Sequence, residues 1–394
     1  MGFNVKAVWA FIRQKVINLG IHCDNVYTRV YVRICPVKQN KIVFISYHGG
    51  GYGDNPKYIA EVLRQQERKW DMVWLCKKLD EPLPEGIRRV KYGSNRALRE
   101  IASAKYFIDN ARSSPRPPKR KGQIYLQTWH GGMGFKESEG QVEEKLSAYY
   151  VAAAKRDGAN CDGIISSCKW QTELFKEYYW LNEKTEILEY GLPRNDKLFD
   201  EASMRNTEAK VRKAMDLDDE TKIVLYMPTF RDDHSTDGYK LDYPGVVAAF
   251  EKRFGGKFVM LVRLHPNVKN QDGFIPFGDS VINATHYPDA QELYMTADFL
   301  ISDYSSSVFD FALLRRPVFL CALDLEHYLR TRGLTDVYEK CAFPKAYTSE
   351  ALLRCIEEFS EDAYKRDFEK FLEYWQPFDQ GDAAWRTVEW MLSK

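Results

Sequence analysis

Two histidines and a run of serines carry the chemistry that can be read in this chain. His130 stands in Gln127-Thr128-Trp129-His130-Gly131-Gly132-Met133-Gly134, directly after an apolar strand pattern at 124–127. Paired glycines such as Gly131 and Gly132 let a backbone approach a ligand closely, and an imidazole that titrates near neutrality suits a general base. Farther along, residues 298–320 read as a strand, a serine turn and a helix start. Phe299 to Ile301 is apolar, Ser305, Ser306 and Ser307 offer capping hydroxyls, and Phe309, Ala312 and Leu313 recur at helical spacing. A helix start presents unpaired N–H groups and partial positive charge, so hydroxyls beside it can hold a phosphate without a glycine-rich loop. Serines that merely cap a buried helix are the plain structural alternative.

The elements that must position these groups follow a βαβ rhythm. Strand-like runs at 42–46, 72–76, 89–92, 106–108, 124–127 and 164–166 alternate with helical patterns at 56–67, 95–103 and 169–179. A polar, helix-leaning stretch at 200–221 precedes a second series at 223–226, 258–262, 280–282, 299–301 and 317–320. Such alternation predicts mostly parallel sheets. We divide the chain into a basic amphipathic segment at 1–40, an α/β domain at 41–203 and a second α/β domain at 204–394. The last of these ends in aromatic-rich helices in which Trp375, Trp385 and Trp390 are expected to pack inward.

Ligands of parallel sheets gather outside the carboxyl ends of the strands. Thr229 and Arg231 follow one strand of the second half, Arg263 and His265 the next, and Asp303 with the serines a third. If those ends converge, two arginines, a histidine and a capped helix surround one point, a grouping suited to a diphosphate. In the first half, Ser46 to Pro56 joins strand to helix and includes His48, Gly49, Gly50, Asp54 and Asn55, a loop suited to an acceptor although its glycines lack the Rossmann spacing. In Gly191-Leu192-Pro193-Arg194-Asn195-Asp196, Asn195 can cap a helix while Arg194 reaches either the cleft or a salt bridge.

Composition narrows the classes. At 394 residues, with Lys+Arg 57 against Asp+Glu 56, the chain has room for two domains and a net charge of only +1, which gives no general attraction to nucleic acid. Eight cysteines are scattered without disulfide or zinc spacing, His22, His234, His286 and His327 stand in unrelated contexts, and no metal site or hydrolase elbow is evident. These features point to a reducing cytoplasm. No signal peptide and no apolar run of about 18 residues is found. Val5, Val8, Trp9, Ile12, Val16 and Leu19 share one helical face with Lys6, Arg13 and Lys15 nearby, and Arg29, Arg33, Lys38 and Lys41 extend the basic character. That pattern fits either an anionic membrane surface or packing on the chain's own domain.

Several motifs together resemble one family. Trp129-His130-Gly131, Gly191 to Asp196, Pro228-Thr229-Phe230-Arg231, Arg263-Leu264-His265-Pro266 and Ser302 through Ser306 to Phe309-Asp310-Phe311 are similar, in order, to the signatures of CDP-glycerol glycerophosphotransferases, the teichoic-acid primases and polymerases. The resemblance implies an α/β fold of two Rossmann-like domains facing a cleft, GT-B-like, with a CDP-polyol donor held mainly by the second domain. It implies a metal-independent transfer, without a cofactor, of polyol phosphate from CDP-glycerol or CDP-ribitol to a lipid-linked or polymeric glycan, at the cytoplasmic face of a bacterial membrane. His130 and His265 match the family's catalytic pair, and Thr229, Arg231, Arg263, Asp303, Ser305, Ser306, Ser307 and Asp310 fall on its donor side. Gly132-Met133-Gly134 departs from the Thr-Pro-Leu of many relatives. A GT-B glycosyltransferase or nucleotide-sugar epimerase would share the architecture, and a non-catalytic protein binding anionic polymer at a membrane would share the basic groups.

Overall fold

Short apolar runs become the strands of two separate, wholly parallel sheets in a computed structural model that describes residues 35–112, 119–231, 233–265, 268 and 271–394. The amphipathic face of residues 1–20 lies outside the described residues. The first sheet contains β1 (Lys38–Ile45), β2 (Asp71–Cys76), β3 (Ile87–Lys91), β4 (Ala104–Asp109), β5 (Ile124–Gln127), β6 (Gly163–Ser166) and β7 (Glu186–Glu189). The second contains β8 (Lys222–Tyr226), β9 (Phe258–Val262), β10 (Val281–Asn283), β11 (Phe299–Ser302), β12 (Val318–Cys321) and β13 (Lys345–Ala346). Their orders are β3-β2-β1-β4-β5-β6-β7 and β10-β9-β8-β11-β12-β13. Helices cover both faces, so strands such as β9, β11 and β12 are buried along their whole length and read as unbroken apolar runs.

In each sheet the strand order reverses once, between β1 and β4 and between β8 and β11. A crevice opens at such a switch point beyond the carboxyl ends. The loop at 46–55 leaves β1, Asn110 follows β4, the segment from Met227 leaves β8 and the serine turn leaves β11, so these segments border the two crevices, while the His130 and His265 motifs follow the neighbouring strands β5 and β9.

Two features depart from the expected division into halves. Beyond His130 the chain leaves the first half, and Met133 and Phe135, both fully buried, join the core of the second. Phe135 lies 5.0 Å from the Phe309 ring and 5.3 Å from that of Tyr338, while Thr335 donates its backbone N–H to the Phe135 carbonyl at 2.8 Å. Burying such a side chain contributes roughly 1.5–3 kcal/mol, so this strap fastens the halves together. At the other end, the helix Ala383–Leu392 returns to the first half, where Val388, Trp390 and Met391 enter its core. The second domain therefore does not keep all of 204–394. Trp375 and Trp390 are buried as expected, but Trp385 is 55% exposed. It stands five positions from Trp390 on the same helix, which turns it to a different face.

Lys41 is also not part of a basic arm. It is buried in β1, donating to Glu100 at 2.6 Å and Ser103 at 3.0 Å. The described cysteines are all free thiols, and among the described residues no helix is long and apolar enough to cross a membrane.

Candidate active site

His130 is held in one tautomer by the end of the neighbouring strand. Its Nδ1 lies 2.6 Å from the carbonyl oxygen of Asn110; a carbonyl only accepts, so Nδ1 carries the proton and Nε2 keeps a lone pair. Burial pushes the imidazole pKa below its ordinary value, and the Arg194 charge adds to that, while the Asn110 carbonyl and Asp54 oppose it. The ring is therefore neutral at physiological pH, as a base must be. Trp129, with its ring 4.7 Å away, forms a shelf for it.

The backbone around this ring is strained. Trp129 has φ 52, and in the loop after β1 Tyr47, His48 and Asp54 have φ 43, 55 and 57. Left-handed non-glycine residues cost roughly 1–3 kcal/mol each and gather at functional sites. Here side chains enforce the strain. Asn55, wholly buried, donates to the Thr128 and Trp129 carbonyls at 3.3 and 3.1 Å, and Gln127 accepts from the Trp129 N–H at 2.9 Å. Asn110 accepts from the Tyr47 N–H at 2.8 Å, tying the two loops together. Gln171 donates to the Gly131 and Gly132 carbonyls at 2.6 and 3.1 Å. A Cβ on Gly132 would lie 2.8 Å from Ser167 Oγ, and one on Gly131 would lie 3.2 Å from Ser306 Oγ, so the paired glycines do permit the close approach. The second of those distances matters most, because it brings the His130 loop against the serine turn of the other half.

Around the serine turn, Ser307 donates its hydroxyl to Ser305 at 2.8 Å, and the helix Ser307–Ala312 that follows has only six residues. Thr229 sits at the end of β8 with its hydroxyl buried and lacking a hydrogen-bond partner. Arg263 is partly exposed and donates to the backbone carbonyl of Tyr287. His265 is exposed, with its ring 5.1 Å from that of Phe230. Partial desolvation lowers its pKa, and Lys136 on the strap lowers it further, so the strap that begins at His130 also runs close to His265.

Several sequence assignments need correction. Arg231 is 3% exposed and each of its three nitrogens is engaged: Nε on Asp324 at 2.6 Å, Nη2 on Asp303 at 2.8 Å and Asp324 at 2.9 Å, and Nη1 on the Thr229 carbonyl at 2.5 Å. Asp303 also accepts from the backbone N–H groups of Thr229 and Tyr304 at 2.8 and 2.6 Å. Arg231 and Asp303 thus brace the turn from behind instead of reaching a phosphate. Arg194 resolves to the salt-bridge alternative: it is 7% exposed and pairs with Asp54 at 3.0 Å and, across the halves, with Asp310 at 2.8 Å. Asp310 is consumed there, and Asn195 donates to Asp310 and Asp379 at 3.3 and 3.0 Å while accepting from Gln291 at 2.6 Å. Asp196 accepts from the N–H groups of Ala383 and Ala384 at 2.9 and 2.8 Å, capping the returning helix. In the loop after β1, Gly49 folds back on Ser46, His48 and Gly50 remain exposed, and Asp54 and Asn55 belong to the bracing network.

Comparison with known proteins decides the family. The family profile of CDP-glycerol:poly(glycerophosphate) glycerophosphotransferase matches residues 26–393. The chain belongs to this family. It is 31% identical over 313 residues to a teichoic acid poly(glycerol phosphate) polymerase of Staphylococcus epidermidis, matching 77% of this chain and 42% of that one. It thus spans less than half of that relative's length. A polymerase of the same description from Bacillus spizizenii is 28% identical over 383 residues, 93% of this chain and 96% of that one. The solved structure of the wall teichoic acid polymerase TagF superposes with a TM-score of 0.79 at 27% identity, covering 100% of this chain and 98% of that one.

For this glycerophosphotransferase-family chain, the sequence left Asn110, Gln171, Asp324 and Lys136 unnoticed. Asn110 had a signal, since it lies just past the strand pattern at 106–108. Gln171 and Asp324 carry no local signal; Arg231 and Asp324 are separated by 93 positions.

Proposed function

We propose that this chain transfers polyol phosphate from a CDP-polyol, CDP-glycerol or CDP-ribitol, to a hydroxyl of a lipid-linked or polymeric glycan, releasing CMP in teichoic-acid-type synthesis. His130 Nε2 takes the acceptor's proton as the oxygen attacks the phosphorus bearing the polyol. The bond from that phosphorus to the CMP oxygen breaks, and the electron pair leaves with CMP. His265, Arg263, the Thr229 hydroxyl and Ser305 to Ser307 hold the donor and its developing charge. In this reading the transfer runs without a metal, an expectation supported by the ion pairs that Asp54, Asp303 and Asp310 make with Arg194 and Arg231. We place the work at the cytoplasmic face of an anionic membrane, where a lipid-linked acceptor would be met.

The observation that supports this reading most is the approach of Gly131 to Ser306, which sets the residue that follows a neutral, singly protonated His130 against a hydroxyl-rich turn from the opposite half. It is tested by following CMP release with each CDP-polyol and a panel of lipid-linked acceptors. His130→Ala is expected to lower turnover about 10²- to 10⁴-fold with donor affinity retained. A variant that kept wild-type turnover, or a wild-type chain that released CMP from neither donor, would overturn the reading.

A further inference from the structure

A single guanidinium touches the backbone of the proposed base and the helix of the donor half. Arg194 Nη1 donates to the His130 carbonyl at 2.8 Å and to Asp54 at 3.0 Å, while Nε and Nη2 reach Asp310 at 2.9 and 2.8 Å. Asp310 lies on the short helix that begins at Ser307, immediately after the serine turn. The backbone N–H of Arg194 is itself fixed, donating at 3.1 Å to Asn55, whose amide holds the Thr128 and Trp129 carbonyls. Tyr47 completes the group by donating its hydroxyl to Asp54 and standing edge-on to His130 at 5.7 Å. We infer that Arg194 is a positioning residue for the transfer, pinning His130 against the serine turn of the donor half.

Geometry and charge both support this role. The planar fork satisfies two carboxylates and one carbonyl at once, which a lysine ammonium on its flexible stem cannot reproduce. Arg194 is nearly wholly buried between Asp54 and Asp310, so it cannot turn toward a substrate without leaving two carboxylates unpaired. Were the serine turn to move, Asp310 would move with it, and the pull on Arg194 would reach the His130 carbonyl. The charged groups facing the imidazole are Asp54, Arg194 and Glu139, with the Tyr47 phenol beside them; Arg194 disfavours the imidazolium, and the two carboxylates favour it.

The inference rests on the proposed function for the chemistry but not for the pin, and the test separates the two. In the full chain, the His130 ring proton is followed by NMR against pH in the wild type, Arg194→Gln and Arg194→Lys, alongside CMP-release kinetics. Removing the cation in Arg194→Gln should raise the His130 midpoint and carry the acid limb of kcat upward with it. A base displaced by about 1 Å should lose on the order of 10²-fold in kcat, while donor KM stays within about twofold. Arg194→Lys should keep the wild-type midpoint and recover only part of kcat. An unmoved midpoint in Arg194→Gln, a raised donor KM with kcat intact, or full activity in Arg194→Lys would overturn the inference. If Arg194→Gln does not fold, the kcat of Arg194→Lys decides alone. A wild type inactive on both CDP-polyols, with the midpoint shift as expected, would remove the proposed function and leave the pin.

Discussion

Arg231 looks from the sequence like a ligand for the donor diphosphate, whereas its surroundings make it a brace, and Arg231→Ala distinguishes the two. The guanidinium neutralises Asp303 and Asp324, whose side chains are 1% and 4% exposed, and it also ties down the Thr229 carbonyl. Truncation leaves two buried carboxylates against one another with no cation, and removing one partner of a buried pair costs roughly 3–5 kcal/mol. At about 2–4 °C per kcal/mol for a unit of this size, the melting temperature should fall by roughly 6–20 °C. Differential scanning calorimetry measures this directly, with titration of the folded variant by a CDP-polyol as the companion. A variant that melts within about 2 °C of the wild type but binds donor about tenfold more weakly would refute the brace and restore the ligand.

Three further outcomes follow from named contacts. Burial raises the carboxyl of Asp379 to about 7. The unfolded chain gives up that proton near its ordinary value of about 3.9, so stability should fall as pH rises from about 4 to about 7 and level off above; Asp379→Asn should flatten the slope in urea titrations, and an unchanged slope would contradict the assignment. Phe135→Ala empties the strap's socket between Phe309 and Tyr338 and should cost about 3–5 kcal/mol by denaturant unfolding; a loss under about 1 kcal/mol would mean that the strap does not fasten the halves. CMP release should persist in excess EDTA, and a fall reversed by added magnesium would show that a metal takes part.

What the sequence disclosed, and what it concealed, divides along a physical line. Strands buried on both faces are continuous apolar runs, so nearly every one was readable, and polar residues just past them marked the crevice. β13 escaped because two residues at a sheet edge make no pattern. Residue type announced the charges but not their partners: Arg194 meets Asp310 across 116 positions, so only the fold decides between the cleft and the salt bridge for it. The strap from Gly131 to Phe135 was unreadable for a similar reason. Met133 and Phe135 are apolar residues in a loop, and only the fold reveals that they fill the other half's core.

The most direct test of the central claim is the identity of both products of one reaction. Wild-type chain is incubated with CDP-glycerol or CDP-ribitol labelled with ¹⁸O on the non-bridging oxygens of the phosphorus next to the polyol, together with a lipid-linked glycan acceptor, and the mixture is resolved by ³¹P NMR and mass spectrometry. Polyol-phosphate transfer predicts the labelled phosphorus in a new diester on the acceptor and CMP in equal amount. Label left in a released nucleoside diphosphate, with none in the acceptor, would mean glycosyl-type chemistry in the same cleft and would contradict the assignment of His130 and the serine turn to phosphoryl transfer.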